Sequence, residues 1–187
     1  RNFIAITRAE WSHGSLYSFA IIENRTQHFL GGCGLSHIHP IYKFCNLGYW
    51  IKTSHHRQGY AGRAARLAAH FAFESVNLIR AEIVIAVGNE ASKRVAEKIG
   101  AHYEGILLNR MTVGTKIHDA HMFSLLPSDF GLTASLPRLI GHQQAIHLAC
   151  RIFGLHDPGT RIVGIPERPH GGLQVVDQQI GLGITGC

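Results

Sequence analysis

The sequence predicts a mixed α/β fold in which helices lie against a central sheet. Hydrophobic periodicity over residues 1–129 alternates between strand and helix repeats in the order βββαβαββ. A glycine-bearing bend falls where the third strand gives way to the first helix. With 45% apolar and 16% charged residues, the 187-residue chain suffices for one packed domain and a tail.

Residues 17–23 and 29–38 read as a β-hairpin around Asn24, Arg25 and Thr26. Gly31, Gly32 and Gly34 in its second arm signal a bulge or the close approach of another backbone. Residues 46–52 form a third strand. A helix follows over residues 60–75, with Ala64, Leu67, Ala68 and Phe71 on an apolar stripe and Arg63, Arg66, His70 and Glu74 on a polar one. Residues 81–87 are a short β-branched run, read as a buried strand. Asn89 caps a second helix over residues 90–99, with Ala91, Val95 and Ile99 facing inward and Gly100 as its stop. Strands over residues 102–112 and 118–126 complete the domain.

Lys and Arg number 18 against 12 Asp and Glu, a net charge of +6. All of the excess lies in residues 1–128, which hold 14 basic and 8 acidic residues. Such a balance points to an anionic partner. Direct nucleic-acid binding is not expected. Arg66, Lys93, Arg94 and Lys98 alternate with Glu74, Glu90 and Glu97 as on solvated helix faces, and no nucleic-acid-binding signature occurs. Cys33, Cys45, Cys150 and Cys187 lie far apart without a C-x-x-C pair, so a reducing, cytoplasmic setting is expected rather than a zinc knuckle or a disulfide scaffold. The closest histidine spacings are His37 with His39, His55 with His56, and His118 with His121; no H-E-x-x-H occurs, and no metal site is expected. Neither a membrane span nor a signal peptide is read. The last 59 residues carry 10 of the 21 Gly and 4 of the 6 Pro. This shift divides the chain into a domain of residues 1–129 and a C-terminal extension of residues 130–187.

The bend at residues 54–65, SHHRQGYAGRAA, carries the chemistry. A helix start leaves its first N–H groups unpaired, and Gly59 and Gly62 let main chain approach a ligand closely. The positive end of the helix dipole and the side chains of Arg57 and Arg63 favour an anion such as phosphate. Neither a Walker A loop nor G-x-G-x-x-G is present.

Three stretches, NLGYWIKTSHHRQGYAGRAARLAAHFAF, IRAEIVIAVGNEASKRVAEKIGAHYEGIL and HDAHMFSLLPSD, resemble the GNAT superfamily of acetyl-CoA-dependent N-acetyltransferases. Within it, the chain is similar to the RimJ/RimL ribosomal-protein branch, over residues 3–129. The resemblance implies a GNAT-type mixed, splayed central sheet flanked by helices. It also implies that His56, Arg57, Gln58, Gly59, Tyr60 and Ala61 stand at the family's Q/R-x-x-G-x-G/A motif, which grips the pyrophosphate of coenzyme A. His56 takes the first place, where Gln or Arg is commonest. Strand residues 47–51 and 82–87 would splay apart and offer main-chain groups to the pantetheine arm, and Asn89 and Ser92 would contact the cofactor near that gap. The cofactor-binding set is therefore Trp50, Ile51, Arg57, Gln58, Gly59, Tyr60, Ala61, Gly62, Asn89 and Ser92.

In the implied reaction a neutral amine attacks a thioester carbonyl. Orientation of the two reactants alone removes roughly 7–11 kcal/mol of such a barrier. A backbone N–H at Trp50 or Ile51 would stabilise the oxyanion. Many family members return a proton to the thiolate from a Tyr seven residues after the Asn. Here that position is Ala96, so Ser92 is the candidate donor, its alternative being an ordinary first-turn residue. Glu82 is a candidate base. Its alternative role is an ion pair with Arg80 or Arg110, and Asp119 and His118 are further candidates. Tyr49 or Trp50 is read either as core or as a wall of the substrate channel.

The family begins with a further strand and helix before the segment matching residues 3–11. The chain starts at Arg1 and reads as a fragment, whose first hairpin strand would be left as an unpaired edge. On this reading it binds acetyl-CoA more securely than it acetylates. The extension shows helical spacing over residues 142–153 and strand patterns at 161–165 and 173–176; covering the open edge and forming a homodimer are its candidate roles. The expected activity is acetyl transfer to a primary amine, foremost a ribosomal-protein N-terminal α-amine. The alternatives are a small-molecule amine acceptor and a catalytically silent acyl-CoA-binding module.

Overall fold

A computed structural model describes residues 10–132 and, as backbone, residues 160–164. The strands are β1 (Tyr17–Glu23), β2 (Phe29–His39), β3 (Phe44–Ile51), β4 (Arg80–Ala86), β5 (His102–Val113), β6 (Lys116–Leu125) and β7 (Thr160–Gly164). They form one mixed sheet in the spatial order β5-β6-β4-β3-β2-β1-β7. Helix α1 (Tyr60–Glu74) joins β3 to β4, and α2 (Glu90–Lys98) joins β4 to β5. The order over residues 17–125 is the expected βββαβαββ.

Strand alternation sorts side chains onto two faces. Tyr17, Phe19 and Ile21 of β1, Cys33 and Leu35 of β2, Cys45 and Leu47 of β3, and Ala81, Ile83 and Ile85 of β4 share the core with α1. α1 buries Ala64, Ala65, Ala68, Ala69 and Ala72, small residues that let the helix lie close to the sheet. Trp11 and Phe71 close that layer, the Trp11 ring lying edge-on to Tyr17 at 5.0 Å and to Phe19 at 5.2 Å. Burial holds the Cys45 thiol up at about 12, so it packs as a small apolar group rather than a nucleophile.

Three local expectations change. In α2, Ala91 is exposed and Val95 only half-buried; Ala96 carries the buried face, together with Ile99 at its end, which is buried as expected. The helix is short and touches its neighbours along a narrow line. β4 is not buried on both faces: Arg80, Glu82 and Val84 alternate with its core residues. β1 is not an open edge, because β7 pairs with it antiparallel from Phe19↔Gly164 to Glu23↔Thr160. The strand pattern at 161–165 thus coincides with β7, whereas the helical spacing at 142–153 and the strand pattern at 173–176 lie outside the described residues.

The feature that positions the site is an incomplete pairing. β3 and β4 run parallel but pair only at Phe44↔Arg80, Cys45↔Ala81 and Asn46↔Glu82. Beyond Asn46 the two strands part, and each keeps its pairing on the other side, β3 with β2 and β4 with β6.

Candidate active site

The split between β3 and β4 has main-chain groups on both lips. Lys52 N–H donates to Leu30 C=O at 2.8 Å, which makes Gly31↔Ile51 a non-hydrogen-bonded pair. Alternation then turns the N–H and C=O of Ile51 and Tyr49 toward the split, while those of Trp50 face β2. Of these two N–H groups, the register therefore turns that of Ile51 toward the split and that of Trp50 toward β2. On the other lip, Val87 N–H donates to Asp119 C=O at 2.9 Å, and the same alternation turns the groups of Val84 and Ala86 into the split.

The split leads to the start of α1. Gly59 is its cap, with φ of 79°, and no side chain caps the helix. The first intrahelical bond is donated by Arg63 N–H to Gly59 C=O at 3.2 Å, so the N–H groups of Tyr60, Ala61 and Gly62 lack intrahelical acceptors. Arg57 and Gln58 are exposed in the bend ahead of Gly59. The guanidinium of Arg63 stacks on the Tyr60 ring at 5.0 Å and donates to Gln58 C=O at 3.3 Å, which places positive charge beside the helix start. The first turn holds no acidic residue. Gly62 has a packing reason of its own, since a Cβ there would meet Ile99 Cγ2 at 3.1 Å.

Several contacts that no sequence motif marks hold this bend in place. The His56 ring reaches Ile51 C=O at 2.9 Å across the bend, the tautomer that donates Nε2–H fitting this contact. Tyr60 OH donates to Glu23 Oε1 at 2.8 Å, anchoring α1 to the end of β1. Hydrogen bonds from Thr26 and Tyr60 hold the Glu23 carboxyl below its ordinary range, and the bond to Glu23 raises the Tyr60 phenol.

α2 starts on the far lip. Asn89 caps it by accepting Ser92 N–H at 3.1 Å, and Ser92 C=O accepts Tyr49 OH at 3.1 Å. Tyr49 thus spans the split from β3 to α2, and burial raises its phenol well above the ordinary value. Trp50, 40% exposed, lies on the opposite face. A Cβ on Gly32 would stand 2.7 Å from its Nε1, so that glycine makes room for the indole. Gly31 is needed for a different contact, because a Cβ there would meet Trp50 O at 2.2 Å. Close approach explains this pair of glycines, and the register of β2 on β1 also shifts beside Gly31, from Ile21↔Gly31 to Ile22↔Phe29.

Glu82 sits at the foot of the split, opposite Asn46. Its Oε1 accepts a hydrogen bond from Arg80 Nε–H at 2.9 Å, so the expected ion pair is formed through one of its two carboxylate oxygens. Arg80 also donates to Glu104 through Nη1 at 2.7 Å and through Nη2, and Ser124 Oγ donates to Glu104 at 2.7 Å. Those bonds, Arg80 foremost, lower the Glu104 carboxyl to about 2. Asp119 accepts Asn109 N–H at 2.8 Å and serves the β5 bulge. No group of three metal-ligating side chains occurs among the described residues. None of the described helices is long and apolar enough to cross a membrane.

A split between two parallel strands of a mixed sheet, beside a helix start with no side-chain cap and no acid in its first turn, is an arrangement able to take an extended ligand with an anionic end. A match to the acetyltransferase (GNAT) domain covers residues 1–102, and the chain belongs to that family. GNAT acetyltransferases use acetyl-CoA as co-substrate. YdaF of Bacillus subtilis (strain 168), a candidate ribosomal N-acetyltransferase, is 34% identical over 52% of this chain and 55% of its own. The ribosomal-protein-serine acetyltransferase of Escherichia coli (strain K12) is 28% identical over 51% of this chain and 53% of its own. The chain thus spans about half the length of these relatives. Among solved structures, a candidate ribosomal-protein-serine acetyltransferase from Vibrio cholerae matches at 34% identity and TM-score 0.59, over 67% of this chain and 72% of that one. A spermidine N-acetyltransferase chimera shares the fold at 19% identity, TM-score 0.60, over 69% and 77%.

Proposed function

We propose that this chain binds acetyl-CoA with its pyrophosphate on the N–H groups of Tyr60, Ala61 and Gly62, and transfers the acetyl group to a primary amine. Arg57, Gln58 and Gly59 shape that grip, with Arg63 adding charge. The single observation that carries the reading is the three-pair contact of β3 with β4, which opens a split leading to an uncapped helix start. Main-chain groups of Ile51, Tyr49 and Val84 line the split for an amide-bearing arm, and Asn89 fixes the far lip through Ser92.

The reaction forms one C–N bond and breaks one C–S bond. Ile51 N–H is the donor for the oxyanion, in a place where a preorganised donor is worth more than in water. The amine loses a proton and the thiolate gains one. Ser92, on the helix side of the sheet, is assigned the proton return. Glu82, on the opposite face, is assigned the amine proton through the carboxylate oxygen that Arg80 does not hold. The acceptor is a protein N-terminal α-amine, a reading supported by the relatives named ribosomal-protein acetyltransferases, and the protein works in the cytoplasm.

Thiol release from acetyl-CoA, measured with a panel of serine- and alanine-starting peptides, tests this function. Release that requires a free α-amine and stops when the amine is formylated is expected. Release only with polyamines or free amino acids would replace the acceptor assignment. Tight acetyl-CoA binding without turnover would leave an acyl-CoA-binding module.

A further inference from the structure

β1 is seven residues long and is flanked on both sides, by β2 and by β7. Its pairing with β2 is irregular between Ile21 and Ile22. β7 pairs with Phe19 through Glu23, so it bridges that irregularity on the other side. The segment that does so reads TRIVG, three of whose five residues are β-branched and suited to an extended ladder. It arrives from beyond residue 159, whereas the continuous fold ends its last described turn at Leu132. The last pair of the ladder, Glu23↔Thr160, involves the residue whose carboxylate accepts Tyr60 OH at 2.8 Å. Tyr60 is the first residue of α1.

We propose that the outer edge of β1 is a strand-docking site, filled by this chain's own Thr160–Gly164, and that the docked strand braces the α1 bend through Glu23 and Tyr60. An extended five-residue segment is recognised there by main-chain hydrogen bonds, antiparallel, as in strand addition to a sheet edge. Docking covers an edge that would otherwise invite pairing with other chains. It also fixes the end of β1, and with it the acceptor of the Tyr60 hydroxyl. Strand docking and cofactor binding are therefore linked, each strengthening the other. The linkage rests on the acetyl-CoA reading above; the docking does not.

The test compares the full chain with Ile162→Pro and Val163→Pro. Adjacent strand residues present their N–H groups to opposite sides, so only one of the two substitutions removes a donor aimed at β1. Hydrogen exchange of residues 19–23 should be slow in the parent chain, much faster in one variant and little changed in the other. The faster variant should bind acetyl-CoA about 5-fold or more weakly. Tyr60→Phe should weaken binding while leaving exchange at residues 19–23 slow. Unchanged exchange in both proline variants overturns the docking, as does a parent chain that runs as a strand-swapped dimer. Faster exchange with unaltered affinity overturns the bracing. Failure of the parent chain to bind acetyl-CoA at all removes the cofactor reading, and exchange alone then decides the docking.

Discussion

The two helices begin in opposite ways. α2 opens on Asn89, whose side chain takes up Ser92 N–H, and it carries Glu90 in its first turn. α1 opens on a left-handed glycine with no side-chain cap and no acid in its first turn. A helix start that serves only the fold is closed by its own sequence, with an acid against the dipole. One reserved for an anion is left open and is kept clear of negative charge. Both starts flank the same split, and the difference fits the proposed division of work, in which α2 fixes a lip and α1 is left open for the charged end of the ligand.

The largest expected effect comes from making the two starts alike. Gly59→Asp puts a carboxylate where the pyrophosphate is proposed to sit. Coenzyme A affinity should fall at least about 10-fold, from repulsion at a helix start and a left-handed position that costs ~1–2 kcal/mol for a residue with Cβ. Titration calorimetry beside a thermal melt separates the two contributions. An affinity equal to the parent's would break the comparison.

Asn89→Ala should cost about 1 kcal/mol of stability through loss of the cap. It frees Ser92 N–H and loosens the lip that Tyr49 holds, so chemical denaturation should show the loss with coenzyme A affinity reduced less than by Gly59→Asp. A larger affinity loss from Asn89→Ala than from Gly59→Asp would reverse the roles of the two starts.

The smallest effect at neutral pH lies away from both starts, at Glu104. Its carboxyl is lowered to about 2 in the folded protein by Arg80 and Ser124, against an ordinary value of 4.5. The folded state therefore favours the ionised form. That stability is fully present above about pH 5 and is lost as pH falls toward 2. Glu104→Gln should flatten the fall of melting temperature over this window and leave coenzyme A affinity at pH 7 near the parent's. An unchanged acid profile would contradict the placement of this ion pair.

What was legible in the sequence was local. The Asn24-Arg25-Thr26 turn, the Gly59 bend, the Asn89 cap and the β-branched run at residues 81–87 each carry their signal within a few residues, and the structure has them within one or two positions. What was not legible depends on pairing between distant segments. The choice of Ile51 over Trp50 as the inward-facing amide follows from the register of β3 on β2, which one strand's sequence does not contain. The bond from Tyr49 to Ser92 joins residues 43 apart. The helix face of α2 was misread at Ala91 because a nine-residue helix is oriented by what it meets, not by its own stripe. β7 was legible as a strand but not as a neighbour of β1, since nothing in TRIVG names its partner.

The central claim is that free main-chain amides at the start of α1 receive the anionic end of coenzyme A. Following backbone amide resonances of the full chain while coenzyme A is added addresses it most directly. The largest shifts are predicted at Tyr60, Ala61 and Gly62, a second set at Ile51, and smaller ones over residues 90–92. Saturable binding that moves signals elsewhere and leaves those three amides where they began would contradict the account.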